Sequence, residues 1–146
     1  MEPDPNRILY PLFAMFLLTG AVLLRMAQLR VGAVRRREIA LEYYATFQNA
    51  EEPPHIRVVT RNFLNLFEMP VLFYVIVILI HVTHHVSPWL VGCAWSYVAL
   101  RCAHTYIHLT SNPVNLRFGI YFTSNVTEYL EQFMVFSEHL IKIIGI

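Results

Sequence analysis

Long apolar runs, separated by short polar stretches, organise this chain. The first, Ile8 to Leu24, approaches the roughly 20 residues with which an α-helix crosses the hydrocarbon layer of a bilayer. A second, Phe63 to Val82, stops at the polar hairpin Thr83-His84-His85-Val86-Ser87-Pro88, and a third covers Trp89 to about Leu109. Pro88 suits the start of that third helix, because a proline needs no partner for a missing N–H there. After the turn-like Thr110-Ser111-Asn112-Pro113, a fourth segment runs from about Val114 to Ile144. The pattern predicts an all-α integral membrane four-helix bundle in one domain, residues 1–146, with helices over about 8–30, 61–83, 88–110 and 114–144.

Composition agrees with a membrane environment. Among 146 residues, 56% are hydrophobic and 14% charged, more apolar side chain than one soluble core of this size hides. The residues before the first run (Glu2, Asp4, Arg7) form no basic n-region, which predicts a retained helix rather than a signal peptide. Cys93 and Cys102 fall on opposite faces of one predicted helix and cannot pair with each other. A net charge of +1 argues against nucleic acid as a partner.

Basic residues orient the bundle. Of eleven Lys and Arg, seven (Arg25, Arg30, Arg35, Arg36, Arg37, Arg57, Arg61) lie between the ends of the first and second helices, so the positive-inside rule puts that connection in the cytoplasm. Both termini are then expected to be non-cytoplasmic. The middle of this connection (Ile39, Leu41, Tyr43, Tyr44, Phe47) is apolar enough to rest on the membrane surface as a loop or interfacial helix.

With that topology, the polar residues within helices can be placed by depth. Arg61, Asn65 and Glu68 are spaced i, i+4, i+7 and share a face at the cytoplasmic end of the second helix. Arg101, His104 and His108 share a face on the third, and Arg117 with Tyr121 one on the fourth. Arg25 and Arg30 close the first helix at the same level. A charge facing lipid is expensive, so a shared, partly hydrated pocket at the cytoplasmic leaflet resolves all of them. Its excess of arginine over carboxylate suits an anionic ligand, because a guanidinium forks onto carboxylates. Arg25, Arg30 and Arg57 have the alternative of snorkelling to headgroups. Arg101, about 18 Å along its helix from Trp89, needs a partner, for which Glu68 is the candidate; a purely structural Arg101–Glu68 pair is the competing reading.

Other chemistry is excluded or set aside. His104 and His108 stand i, i+4 as metal ligands can, but Arg101 and Arg117 would repel a cation; His81, His84 and His85 lack a Cys or carboxylate companion. Asn125-Val126-Thr127 matches a glycosylation pattern inside a presumed membrane helix and is discounted. Glu128 and Glu131, mid-way along the fourth segment, must face protein or water, or that helix projects beyond the bilayer. Tyr97, Tyr106, Phe122 and Tyr129 are assigned to packing or to the membrane interface.

Taken together, Arg61-x-x-x-Asn65-x-x-Glu68-x-Pro70, Arg101-x-x-His104 and Arg117-x-x-x-Tyr121 across four helices resemble the MAPEG family, the membrane-associated proteins in eicosanoid and glutathione metabolism. The resemblance implies a homotrimer that binds glutathione between neighbouring protomers near the cytosolic leaflet and acts on a lipophilic small molecule. By this resemblance Arg117 is the catalytic residue that stabilises the glutathione thiolate. Arg30 (or Arg25), Arg61, Asn65, Glu68, Arg101, His104, His108 and Tyr121 are implied binding residues. His108 in place of an aromatic hydroxyl, Phe118 after Arg117, and Glu128 and Glu131 depart from the family pattern. The implied activity is a glutathione-dependent transferase or peroxidase. The competing reading is a non-catalytic membrane binding protein for a lipid or other anionic ligand. A proton path through Glu68, His104 and His108 ranks below both, since helices two and three turn apolar toward the outer face.

Overall fold

A computed structural model describes residues 4–48 and 51–144, and among them every regular element is helical. Asp4 opens the chain by accepting the Asn6 N–H at 3.0 Å, which starts a single 3-10 turn, Pro5–Ile8. Helix α1 follows over Leu9–Arg35 and is longer than the sequence pattern predicts. It ends where Arg37 adopts a left-handed φ of 57°. A single turn, α2, covers Tyr43–Thr46, and α3 runs from Pro54 to Asn65, with Pro54 at a helix start that asks for no N–H.

The predicted second helix is therefore two. α3 begins before residue 61, and the chain breaks over residues 66–69 before α4, Pro70–Val82, resumes. Pro70 accounts for the interruption: it has no N–H to give, and its ring meets the carbonyl of Leu66 four residues back. Glu68 falls in the break rather than on the face that carries Arg61 and Asn65.

Helix α5, Pro88–Leu109, is capped by Ser87, whose Oγ accepts the Leu90 N–H at 3.3 Å. Leu90, Ala94, Tyr97, Val98, Arg101, His104, Thr105 and His108 are buried, a single stripe at three- and four-residue steps. Helix α6 spans Val114–Ile144 and lies chiefly along α5. Met15, Val22 and Met26 of α1 join Phe73, Val77 and Ile80 of α4 and Leu90, Ala94 and Tyr97 of α5 in the core. Within it the Phe73 and Tyr97 rings stack at 4.5 Å.

Beneath the ends of α1 and α3, the connection folds onto Ala33, Ile39 and Ile56 with Tyr43 and Tyr44. Burial, followed by the Glu52 carboxylate, pushes the Tyr44 phenol above its usual range. At the exposed edge, the hydrogen bond from Arg36 holds the Glu38 carboxyl below the usual carboxylate range.

Pro5–Arg35 and Pro54–Val82 are long and apolar enough to cross a membrane. Large apolar side chains cover their outer faces, among them Phe13, Phe16, Leu17 and Leu24 on α1 and Val75 and Ile78 on α4. Lipid tails are as apolar as leucine, so these surfaces are at home in a bilayer, and specific packing falls to shape and polar contacts inside the bundle.

Candidate functional site

Where α3, α5 and α6 meet, Asn65, His104, Arg117 and Tyr121 line a cleft of about 210 Å³ with Val114 and Phe118. Arg117 reaches it from the first turns of α6, half-buried, with its Nη1 donating to Asn112 Oδ1 at 2.6 Å and to His108 Nε2 at 3.2 Å. A guanidinium only donates, so His108 Nε2 accepts and the imidazole proton sits on Nδ1. His104 is almost fully buried; its ring lies 5.6 Å from His108 and 5.7 Å from Tyr121. Arg61 is exposed, has no carboxylate within ion-pair distance among the described residues, and interacts electrostatically with His108. Among the described residues, no carboxylate lines the cleft.

Behind His108 lies a second cleft, about 360 Å³, that includes Arg25, His55, Thr110 and Asn112. His108 thus forms a partition, lining this cleft while it holds the arginine of the other.

Five expected members do not line the cleft: Arg61 and His108, described above, and Arg30, Glu68 and Arg101. Arg30 is engaged elsewhere: its Nε donates to Glu52 at 3.0 Å, its Nη2 to Thr60 at 3.2 Å, and its guanidinium lies over the Tyr44 ring. Glu52, only 6% exposed, is the buried counter-charge that fixes it on the connection side. Glu68 is exposed, placed by the break after α3. Arg101 is 0% exposed and sits behind Tyr121, sandwiched between the Tyr97 and Tyr121 rings at 5.1 and 5.0 Å.

The partner of Arg101 is on α6 and is not Glu68. Its Nη2 donates to Asn125 Oδ1 at 2.5 Å, and Glu128, 2% exposed, interacts with it electrostatically. Antiparallel α5 and α6 bring these residues together, whereas the interruption before Pro70 takes Glu68 to the surface. Glu128 therefore faces protein, one of the three outcomes its position allowed. The Glu131 side chain lies outside the described residues. Burial of Asn125 agrees with setting its glycosylation pattern aside.

Asn112, Asn125 and Glu128 are the site-shaping residues that the sequence pattern left out. The signal for two of them was present: Arg117, Tyr121, Asn125, Glu128 and Gln132 recur at steps of four, four, three and four, one polar stripe along α6. Asn62, fully buried on α3 and contacted by Thr105 at 3.5 Å, carried no such pattern.

A comparison with protein-family models matches the MAPEG family over residues 8–135. No curated protein and no solved structure matches the chain. The matched stretch contains α1 through α5, the cleft and the polar stripe of α6 as far as Gln132, so the chain belongs to the MAPEG family.

Proposed function

We propose that this chain is a glutathione-dependent transferase or peroxidase acting on lipophilic electrophiles, assembled as a homotrimer with its site toward the cytoplasmic leaflet. Family membership supports a membrane protein of glutathione or eicosanoid metabolism. The observation that carries the finer reading is the cleft itself: Arg117 beside Asn65, His104 and Tyr121, with Arg61 near and, among the described residues, no carboxylate on its walls. Those donors fit glutathione, which brings two carboxylates and one ammonium. Arg61 and Asn65 suit a carboxylate, and Glu68, exposed at the end of α3, suits the ammonium.

Glutathione supplies a thiol whose thiolate is the nucleophile; a guanidinium at Arg117 favours the charged form. In conjugation with an aromatic halide a carbon–sulfur bond forms, the carbon–halogen bond breaks, and halide leaves with the electron pair. Tyr121 and His104 wall the thiolate side. Arg101 acts on this site from behind Tyr121 rather than by contact, and Arg25, exposed at the second cleft, replaces Arg30 as the α1 arginine nearest to a ligand.

The test measures glutathione-induced thermal stabilisation in detergent and conjugation of an activated aromatic halide, for the parent and Arg117→Ala. Binding is expected in both, with kcat falling about 100-fold in the variant, the scale of removing one donor to a developing anion. Absence of stabilisation in the parent would sink the reading. The non-catalytic alternative is favoured by one observation, that Arg117 already has two protein partners. Binding without turnover would establish it.

A further inference from the structure

We infer that Asn112 and His108 are positioning residues that fix the Arg117 guanidinium for an anion in the cleft, an assignment that rests on Arg117 facing the ligand as proposed above. Each Nη of arginine carries two protons and Nε one. Asn112 Oδ1 and His108 Nε2 both accept from Nη1. That nitrogen is saturated, which leaves the Nη2 pair and Nε–H for an incoming anion.

Both acceptors are neutral. A carboxylate in either place would hold the arginine equally well but cancel its charge, as Glu52 does for Arg30. Here orientation is fixed and the positive charge is left whole.

Local structure sets up each acceptor. Asn112 has a left-handed φ of 50°, a conformation that asparagine tolerates better than other side chains, and its N–H bonds to the Ile107 carbonyl at 2.9 Å across the end of α5. The same turn that reverses the chain thus delivers the carboxamide. His108, one turn earlier and 2% exposed, is locked in the Nδ1–H tautomer by what it holds.

Phenylglyoxal modification, read residue by residue by mass spectrometry on the full chain in detergent, tests this without any ligand. Asn112→Gly is the cleanest variant, because glycine keeps the left-handed turn and deletes only the carboxamide. In the parent, Arg117 should react more slowly than exposed Arg61. Asn112→Gly and His108→Phe should each accelerate Arg117 about tenfold, the scale of one lost charge-assisted hydrogen bond. His108→Gln, which restores an uncharged acceptor, should stay within about twofold of the parent. An unchanged Arg117 rate in Asn112→Gly overturns the assignment. Fully buried Arg101 reports on folding; if it too becomes reactive in Asn112→Gly, His108→Phe decides instead, on the same criterion.

A kinetic arm separates positioning from bulk stability. Asn112→Gly should lower kcat about tenfold with little change in KM in the parent and have no further effect in Arg117→Ala, since a residue acting through Arg117 has nothing left to position. Equal losses in both backgrounds would overturn the assignment. A parent that does not bind glutathione would sink the proposed function alone, and the modification rates would still decide the positioning role.

Discussion

Arg25 and Arg30 stand five residues apart on α1, about 140° around the helix, and among the described residues it is Arg30 that has its charge met, by Glu52 and Thr60. Removing it strands a carboxylate that is 6% exposed. Arg30→Ala should therefore cost about 2 kcal/mol of stability, less than the roughly 3–5 kcal/mol for breaking a fully buried pair, because Arg30 itself is partly exposed. Its effect on the glutathione KM should be small. Arg25→Ala should do the opposite, raising KM severalfold with little change in the thermal midpoint. Melting curves and saturation kinetics on the two variants decide this, and a KM effect confined to Arg30→Ala would return Arg30 to the site. Sequence placed both arginines beyond the apolar run of the first helix, and both lie on α1. It could not see Glu52, because that partner is brought in by a fold of the connection 22 residues away. Asn65, His104, His108, Arg117 and Tyr121 were legible for the opposite reason: each lies on a regular helix, where spacing fixes the face.

At the scale of elements, the largest departure from the sequence pattern is the break before Pro70. Hydropathy is continuous through it, so a reading by apolar runs merges α3 and α4 into one helix. The stereochemistry of proline overrides that continuity at a cost of about 3 kcal/mol for any helix that ignores it. Pro70→Ala should let the helix run through. Hydrogen exchange in detergent should then slow at the amides of Glu68 and Met69, which lie outside both helices in the parent. Rotation of Glu68 back onto the helix would alter its relation to Asn65 and Arg61, so the glutathione KM should shift as well. Unchanged exchange would mean that something other than the proline interrupts the helix. The polar stripe of α6 shows the converse case. Glu128 looked anomalous because each charge was weighed against lipid, yet α5 and α6 bring Arg101 and Glu128 together, and each lowers the cost of burying the other.

For the whole molecule, exposed apolar surface does not by itself require subunits, since lipid covers α1 and α4 equally well. Polar groups left at the surface are more telling. Arg61 and Glu68 are exposed without an ion-pair partner among the described residues, at the level of the cleft. Farther along, α6 stands off from α4 to leave a groove of about 690 Å³ whose lining includes Leu72, Val75, Tyr129, Phe133 and the polar Gln132. In the proposed homotrimer a neighbouring chain meets these features. Reconstituted in lipid nanodiscs, the protein should therefore show the mass of three 17.0 kDa chains. Co-reconstituting Arg25→Ala with Arg117→Ala adds a test of how the site is built. If each cleft draws Arg25 from a neighbour, mixed trimers contain some sites with both arginines intact and others with both lost, and activity at subsaturating glutathione exceeds the average of the two variants. If Arg25 and Arg117 serve the cleft of their own chain, mixing gives only the average of the two variants. A single-chain mass combined with full glutathione binding would remove the composite site outright, because the second cleft and the first would then meet only through His108.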